Sequence, residues 1–327
     1  MNWIDDTWRA AGTPGLVSVI LPVFNRENTI ADAVRSVLAQ TWPKVEIIVV
    51  DDGSTDRTAE VLSAFPAVNL IRQQNQGVAL ARNAGLRTAQ GEYIAGLDSD
   101  DVWDTGFLST VLGAMQRHAA PVGLVAREVW NKDQRIPGRG TPIERRYVND
   151  IHQEVLIGAE ELRSLALSSG LVPNPGVVFH RSIIEAWPDY MRTTDDIGQH
   201  ARILVCHSPK AVFLTRPLWK VSPRGHDLVS LTGSNPKTDL GTRAARDLGL
   251  LVDELQHQLS ASERHAFARK RANWITDDTA YQLSERGEWL DCLKAYALAW
   301  RIDPNGQRFL QLVRGLLRAV RARLRSQ

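Results

Sequence analysis

The sequence predicts an α/β protein, in which a doubly wound and mostly parallel sheet is followed by an all-helical C-terminal region. Over about the first hundred residues, short apolar runs rich in β-branched residues alternate with segments whose apolar residues recur at helical spacing. Strands and helices that alternate through short loops are typical of a parallel sheet covered by helices on both faces. From residue 239 onward the helical spacing continues without strand-like runs, which predicts the C-terminal helices.

Each predicted strand is a short apolar run that ends in polar residues. The predicted strands are Val17–Phe24, Val45–Val50, Val68–Arg72 and Glu92–Leu97. Helices are predicted at Thr29–Gln40, from a cap at residues 54–56 to Leu62, and at Gly77–Ala89. The first two strands are apolar on both faces, as expected inside a covered parallel sheet. Ligands bind such sheets at the carboxyl ends of the strands, so the polar residues there predict a nucleotide site.

The middle of the chain has a less regular pattern. Residues 127–146 are rich in Gly, Pro and charged residues, which predicts a mobile loop. Further strands are predicted at Val177–His180, Val205–Cys206 and Ala211–Leu214.

The composition of the 327 residues favours a globular cytoplasmic protein. With 43% hydrophobic and 23% charged residues the chain can bury a core. Lys and Arg number 39 and Asp and Glu 37, so the net charge of +2 gives no support for a nucleic-acid partner. The two cysteines have neither disulfide nor metal spacing, as is typical of a reducing compartment. The sequence also shows neither a secretory-signal pattern nor an apolar stretch of membrane-spanning length.

The last predicted helix, Arg308–Arg325, is amphipathic and basic. Its apolar face is predicted to carry Phe309, Val313, Leu316, Val320 and Leu324, and its opposite face Arg314, Arg318, Arg321 and Arg325. Such a helix can rest on anionic lipid headgroups, which predicts a peripheral contact with the inner membrane face. The alternative is a terminal helix that packs on the protein with its arginines in water.

The run Gly96–Trp103 places three carboxylates, Asp98, Asp100 and Asp101, directly after a predicted buried strand. Carboxylates this close raise each other's pKa unless a cation or strong hydrogen-bond donors lie among them. Hard oxygen ligands select Mg²⁺ or Mn²⁺, and Mg²⁺ is usually held by one or two carboxylates together with substrate phosphate oxygens. The run therefore predicts a metal that bridges to a phosphate. The alternative is a solvated acidic turn that caps the next helix.

Five motifs occur in an order and spacing shared with one known family. They are Val17–Asn25 (VSVILPVFN), Val49–Asp56 (VVDDGSTD), Asn75–Gly85 (NQGVALARNAG), Gly91–Ile94 (GEYI) and Asp98–Trp103 (DSDDVW). Together they resemble glycosyltransferase family 2, the inverting nucleotide-sugar enzymes of the GT-A fold. The resemblance is close over residues 17–103 and patchier to about residue 234. It implies an N-terminal tail at 1–16, a nucleotide-sugar-binding half at 17–120, an acceptor-binding half at 121–238 and a helical region at 239–327.

The resemblance implies transfer of a sugar from a nucleotide donor, with UDP favoured, to a hydroxyl of a saccharide or glycolipid acceptor. Assembly of cell-surface polysaccharide or glycoconjugate is the implied setting, and a divalent cation, Mn²⁺ or Mg²⁺, is the implied cofactor. Two other functions stay open. A sugar nucleotidyltransferase would commonly need a glycine-rich loop after the first strand, where Pro22–Asn25 has no glycine. A catalytically silent binding module could instead recruit a partner through the helical region.

The resemblance also assigns residues to the nucleotide-sugar. These are Pro22, Phe24, Asn25, Asp52, Asn75, Gly77, Arg82, Asp98 and Ser99. Asp52 corresponds to the aspartate that accepts a hydrogen bond from the uracil ring, while Asp51 can hold the turn. Phe24 offers a ring face for stacking on the base, with core packing as the alternative. Arg82 faces the diphosphate in this interpretation, with a surface salt bridge as the alternative.

Three residues are implied as metal ligands. Asp100 is the first choice for direct coordination of the cation, and Asp98 is a second ligand that also contacts the ribose or sugar. Asp101 is assigned to cap or orient the run. His226 lies in a segment that resembles the family's closing loop, where it would approach the diphosphate or the metal; an ordinary loop histidine is the alternative.

Inversion needs a general base on the opposite face of the sugar from the leaving group. The run Thr194–Ile197 resembles the family's acidic pair before a helix, which makes Asp196 the candidate base and Asp195 the second choice. The stretch Gly198–Ala201 that follows departs from the mostly apolar family pattern. An acidic helix N-terminus without a catalytic role is the alternative.

Overall fold

The computed structural model describes residues 3–131, 134–137, 140–148, 153–191, 195–221 and 240–325. Two compact units divide the chain, Met1–Asp189 with Asp195–Leu228, and Tyr190–Thr194 with Val229–Gln327. We call them the sheet unit and the helical unit.

Within the described residues, the sheet unit contains one mixed sheet of ten strands. The strands are β1 (Thr13–Val23), β2 (Val45–Asp51), β3 (Val68–Arg72), β4 (Gly91–Gly96), β5 (Asp101–Trp103), β6 (Val122–Asn131), β7 (Gln134–Pro137), β8 (Glu154–Ile157), β9 (Val177–His180) and β10 (Ala211–Val221). Their order is β3-β2-β1-β4-β9-β6-β10-β5, with β7 beside β6 and β8 beside β10. The run β3-β2-β1-β4 is parallel throughout, whereas β9 pairs antiparallel with β4 and β6. The predicted doubly wound, mostly parallel sheet is therefore confirmed for the first four strands along the path.

Helices connect these strands and continue into the helical unit. In the sheet unit they are α1 (Asp6–Ala10), α2 (Ile30–Leu38), α3 (Thr58–Ser63), α4 (Val78–Thr88), α5 (Phe107–Arg117), α6 (Pro142–Tyr147), α7 (Ala159–Ala166) and α8 (Asp195–His207). In the helical unit they are α9 (Leu240–Leu255), α10 (Ala261–Trp274), a π-helical turn (Ile275–Ala280), α11 (Tyr281–Glu285), α12 (Trp289–Ile302) and α13 (Gly306–Arg325). The predicted helical region after residue 239 is confirmed.

Strand β1 is the centre of the core because it lies between β2 and β4 and is covered by helices. Its residues from Val17 onward are buried, in agreement with their apolar character on both faces. Helix α4 packs on β1 at Gly85, where a Cβ atom would lie 2.7 Å from Ile20 Cγ2. The absence of a side chain at Gly85 therefore sets how closely α4 approaches the sheet.

The prediction of a mobile loop at residues 127–146 is wrong for the part of this segment that the structure describes. Strand β6 continues to Asn131 and pairs with β7 in antiparallel register, and α6 follows. Of the two prolines in the segment, Pro137 ends β7 and Pro142 occupies the first turn of α6, where its missing N–H costs nothing. Thr141 and Glu144 form a capping box that starts this helix.

The predicted strand at Val205–Cys206 is also wrong, because both residues belong to α8. Ala201 and Leu204 are buried at helical spacing along this element. A two-residue apolar match could not distinguish a short strand from one turn of a helix.

The helical unit has its own buried core. One cluster of this core consists largely of small residues, namely Ala245, Ala272, Ile275, Ala280, Cys292, Ala295 and Ala299. Alanines at these contacts allow the helix axes to approach closely, while Leu248, Leu251 and Phe267 are large buried side chains of the same unit. Within the described ranges, no helix combines the length and the apolar character needed to cross a bilayer.

Candidate active site

The acidic run lies in the turn that connects β4 to β5. The N–H of Leu97 donates to Ile20 O at 3.0 Å, which continues the sheet bonding just past β4. Asp101 closes the turn, since its N–H donates to Asp98 O at 3.1 Å. The far end is fixed by Trp103, whose Nε1 donates to Pro175 O at 2.7 Å. The run is thus held at both ends, at the carboxyl end of the parallel strands.

The alternative that the acidic run is a turn that caps the next helix is wrong. Helix α5 begins at Phe107 after Gly106, well beyond the carboxylates, and Asp101 lies in β5. The role assigned to Asp101 as a cap is therefore corrected, because pairing of β5 with β10 draws this residue into the sheet.

The carboxylates of the run are crowded and short of positive charge. Burial raises the pKa of Asp98, although the charge of Arg82 opposes this. Burial and then the charge of Asp98 raise the pKa of Asp100. Burial followed by both neighbouring carboxylates raises the pKa of Asp101 well above its ordinary value. Oxygen donors whose charged form is under-compensated are the donor set that a hard divalent cation stabilises, so the run fits Mg²⁺ or Mn²⁺.

Two arginines that the sequence analysis missed add positive charge to the surroundings of the acidic run. The charge of Arg26 opposes the rise in the pKa values of Asp98 and Asp100, and the charge of Arg127 opposes the rise in that of Asp101. Arg26 is half-buried in the turn after β1, where its N–H donates to Thr58 Oγ1 at 2.8 Å. Its position directly past a predicted strand end was the available signal, whereas Arg127 reaches the site only through strand pairing.

Arg82 is the point at which separate parts of the chain meet. This residue of α4 is only 4% exposed. Its NH2 group donates to Asp98 Oδ1 at 2.7 Å, and NH1 donates to Asp196 Oδ1 at 2.6 Å and also to Asp195 Oδ2. The alternative of a surface salt bridge is therefore wrong, because α4 packs Arg82 beneath the strand ends.

The charged groups around Arg82 shift one another's pKa values. Burial opposes the charged guanidinium, but the charges of Asp195, Asp196 and Asp98 outweigh it and raise the pKa of Arg82. Burial raises the pKa of Asp195 to about 7 against the opposing charge of Arg82, with Asp196 adding to the rise. The guanidinium of Arg82 thus donates to three carboxylates. The negative charge that it leaves uncompensated favours the binding of a further cation near them.

Helix α8 brings Asp195 and Asp196 to Arg82 from its first turn. The polar residues that follow them are buried and anchor the helix. Gln199 Nε2 donates to Glu185 O at 2.8 Å, and His200 Nδ1 accepts the N–H of Leu171 at 3.2 Å. Burial, assisted by the charge of Arg82, lowers the pKa of His200 to about 3, so this side chain is neutral. The polar residues that replace the family's apolar ones after the acidic pair therefore make hydrogen bonds inside the protein.

The predicted base-binding residues lie in the turns after β1, β2 and β3. Asp52 is buried, and its carboxylate accepts the N–H groups of Gln76 at 2.9 Å and Gly77 at 2.8 Å. Gly77 has φ +94°, a left-handed conformation that favours glycine. Asp51 Oδ1 accepts the N–H of Ser54 at 2.8 Å, so the prediction that Asp51 holds the turn is confirmed.

The loop after β1 presents an exposed aromatic ring beside a fixed turn. Phe24 is 43% exposed, so the alternative that it packs in the core is wrong. Asn25 has φ +53°, and its Oδ1 accepts the N–H of Thr55 at 2.8 Å. Pro22 is buried in β1, and Asn75 is exposed.

The structure therefore brings four predicted residues into direct contact: Arg82, Asp98, Asp195 and Asp196. Ser99 is buried within the same turn as Asp98. His226 lies outside the described residues. Among the residues that are described, no group of three or more His, Cys, Asp or Glu side chains is arranged so that it could hold a metal ion.

A sequence model of one family, described as Glycosyl transferase family 2, matches residues 18–187, just over half of the chain. The chain belongs to glycosyl transferase family 2. The matched range contains Asp52, Arg82 and the acidic run, and it ends before the acidic pair of α8.

Curated relatives from bacteria are named as glycosyltransferases. Glycosyltransferase GlyG of Streptococcus pneumoniae is 37% identical over 124 residues, which are 36% of this chain and 40% of GlyG. WfaP of Escherichia coli, named as a UDP-Glc:alpha-D-GlcNAc-diphosphoundecaprenol beta-1,3-glucosyltransferase, is 41% identical over 104 residues, which are 31% of this chain and 41% of WfaP. The chain spans about half the length, or less, of these curated family 2 relatives.

Among solved structures, residues 1–349 of S. aureus TarS in complex with UDP-GlcNAc share the fold with a TM-score of 0.61. The identity is 20%, and the match covers 94% of this chain and 89% of that chain. The likeness establishes the GT-A fold that the sequence motifs imply.

Proposed function

We propose that this family 2 chain transfers a sugar from a UDP-linked donor to a hydroxyl of a saccharide or glycolipid acceptor, with inversion at the anomeric carbon. Assembly of a cell-surface polysaccharide or glycoconjugate is the proposed setting. The relative WfaP supports this choice, since its name specifies a UDP-Glc donor and a diphosphoundecaprenol-linked acceptor.

The observation that carries the proposal is the meeting of Asp98 with Asp195 and Asp196 at Arg82. Asp98 belongs to the turn after β4, while the acidic pair begins α8, more than 90 residues later. Displacement at an anomeric carbon needs positive charge beside the leaving diphosphate and a base near the attacking hydroxyl. At this position Arg82 provides positive charge, and Asp195 and Asp196 provide candidate bases.

On the donor side, Asp52 and Gly77 define the edge that we assign to the base. Asp52 fixes the backbone of the turn before α4 through two accepted N–H bonds. Its carboxylate also suits the N–H donor on the edge of a uracil ring. The exposed ring of Phe24 provides a face for stacking. Pro22, Asn25, Asn75 and Ser99 complete the proposed donor contacts.

A divalent cation, Mn²⁺ or Mg²⁺, fits the acidic run. Asp100 and Asp98 are the proposed protein ligands, and His226 is a proposed further ligand. When bound, such an ion would offset the negative charge that builds up on the departing diphosphate. The charge of Arg26 partly offsets the rise in the pKa values of both aspartates, so Arg26 supplies part of the same positive charge from the protein itself.

We assign the general base to Asp196. Its side chain is 29% exposed, against 10% for that of Asp195, so Asp196 is the member of the pair that an acceptor can reach. The acceptor oxygen forms a bond to the anomeric carbon as the bond from that carbon to the diphosphate breaks. Its proton passes to Asp196, and Asp195 holds Arg82 from the buried side.

The test is release of UDP from UDP-glucose and UDP-GlcNAc in the presence of Mn²⁺ and saccharide acceptors. Asp100→Asn and Asp196→Asn should each lower transfer by at least about 100-fold, because each removes a charge that the transition state needs. Both substitutions keep a hydrogen-bonding side chain of similar size, so thermal melting should stay close to that of the parent.

Asp104→Ala is the matched control, because this aspartate is exposed just past the acidic run. It should leave transfer unchanged. Full activity in Asp100→Asn or Asp196→Asn would remove that residue from its role. Pyrophosphate formed from UTP and a sugar phosphate, without transfer from either UDP-sugar, would replace the proposal with nucleotidyl transfer.

A further inference from the structure

Helix α13 turns its apolar face outward. Its large apolar residues Phe309, Leu310, Leu316 and Leu317 are each between 49% and 55% exposed. An ordinary amphipathic helix buries such a stripe against the protein. The prediction that α13 is amphipathic therefore holds for the described part of the helix, but the side that contacts the protein is the less apolar one.

Two contacts fix this rotation of α13. A Cβ atom at Gly315 would lie 2.9 Å from the ring of Tyr296, so the two helices touch where α13 has no side chain. Arg308 is buried, and its Nε donates to Asp303 Oδ2 at 3.1 Å and its NH2 to Asn273 Oδ1 at 2.6 Å. Turning the apolar stripe inward would break these bonds and leave a charged group unpaired, which is costly.

The exposed apolar surface continues onto α12. Trp300 is partly exposed, and its ring lies 6.4 Å from the ring of Phe309 between centroids. Tryptophan and phenylalanine with neighbouring leucines are the side chains that enter the boundary between lipid headgroups and acyl chains.

The charge of α13 selects one class of partner. The sequence of this helix contains six arginines and neither aspartate nor glutamate. Arg314 and Arg318 are exposed one turn apart and border the leucines of the stripe. A second copy of the chain would bring like charges together, whereas an anionic surface would be attracted.

We propose that the outward face of α13 docks on a membrane surface that carries anionic lipids. The helix lies along the interface, with Phe309, Leu310, Leu316 and Leu317 among the upper acyl chains and Arg314 and Arg318 at the phosphates. No residue of this surface is assigned to catalysis, so failure of this proposal would leave the proposed sugar transfer untouched.

Flotation of the full chain with vesicles tests the proposal. The protein should float with vesicles of phosphatidylcholine mixed with phosphatidylglycerol, and binding should weaken in high salt. The double substitution Leu316→Glu with Leu317→Glu should lower the partition coefficient at least about tenfold, because two leucines lose their burial in lipid. Arg314→Gln with Arg318→Gln should lower binding to the anionic vesicles and leave weak binding to pure phosphatidylcholine unchanged.

Leu38→Glu with Leu156→Glu is the matched control, since both leucines are 49% exposed and belong to the sheet unit. It should bind vesicles as the parent does. Thermal melting of every variant separates loss of binding from loss of fold. Equal flotation of the Leu316 and Leu317 double variant would overturn the proposal. A dimer that this variant dissociates, together with no flotation of the parent, would overturn it in favour of a protein interface.

Discussion

Arg82 shows how one buried side chain can organise a whole site. Its three carboxylate partners come from the turn after β4 and from the first turn of α8. A guanidinium has a planar set of donors that can serve several acids at once, which a lysine ammonium cannot match in geometry. Arg82 therefore holds the proposed base and the acidic run at a fixed separation, in addition to any contact with the donor.

Substitution of Arg82 should separate positioning from charge. Arg82→Lys keeps the charge but loses the shared geometry, so kcat should fall about tenfold or more with a smaller change in KM. Arg82→Met leaves three acids without their cation and should lower the free energy of unfolding by about 3–5 kcal/mol. Steady-state kinetics and urea denaturation measure the two effects. An Arg82→Met protein as stable as the parent would show that these ion pairs contribute nothing.

The residues of the site differ in how readily their roles can be recognised from the sequence alone. Asp98, Asp100 and the pair Asp195 and Asp196 stand out because like charges cluster after an apolar run or before a helix. Arg127 could not be found this way. It approaches Asp101 only because β6 and β5 both pair with β10, and such proximity is a property of the sheet rather than of local sequence.

At the scale of elements, α8 is the helix that completes the site. Its buried polar residues, Gln199 and His200, take the place of apolar ones and bond to backbone groups of other segments. Hydrogen bonds of this kind specify direction as well as contact, so they fix the rotation of α8 and hence where its first turn points. The acidic pair depends on this anchoring.

His200 should make the stability of the protein depend on pH. Its pKa is about 3 in the folded state, below the ordinary value of 6.5. The stabilisation is therefore complete above about pH 6.5 and is lost as the pH falls towards 3, because the unfolded chain binds the proton first. Between pH 7 and pH 5 the parent should lose about 2 kcal/mol more than His200→Asn, which keeps an acceptor near the position of Nδ1. Urea denaturation at both pH values measures this; equal losses would mean that His200 is protonated in the folded protein.

Local periodicity predicted β1 to β4 and α2 to α4 because each alternation of strand and helix there is short and regular, whereas α1 lies in the segment predicted as a tail. Strand β3 matches its predicted bounds, and β2 differs by one residue. The prediction for residues 127–146 failed for a physical reason. Strand β6 is stabilised by pairing with β9 and β10, which lie far away in sequence, so composition alone suggested a loop.

At the scale of the whole molecule, the chain has two compact units with separate cores. The core of the sheet unit contains the large aliphatic residues of β1 and its neighbours, and the core of the helical unit contains a cluster of alanines together with buried leucines and Phe267. Units with independent cores can unfold in separate steps, and a ligand stabilises the unit that binds it.

Calorimetry should therefore resolve two transitions of which only one responds to ligand. UDP with Mn²⁺ at about 100 times its dissociation constant should stabilise the sheet unit by about 2.7 kcal/mol and leave the transition of the helical unit in place. Chelation of the metal should reverse the shift if the cation takes part in binding. One transition that moves as a whole would contradict the independence of the units.

The guanidinium of Arg82 also lies over the indole of Trp187, 5.8 Å from the ring centroid. The excited state of an indole responds strongly to a nearby positive charge, and its emission changes when that charge moves. Trp187 is thus an intrinsic fluorophore beside the central arginine of the candidate site. Because the chain contains ten tryptophans, comparison with a Trp187→Phe variant would isolate the change in emission when a ligand displaces this arginine.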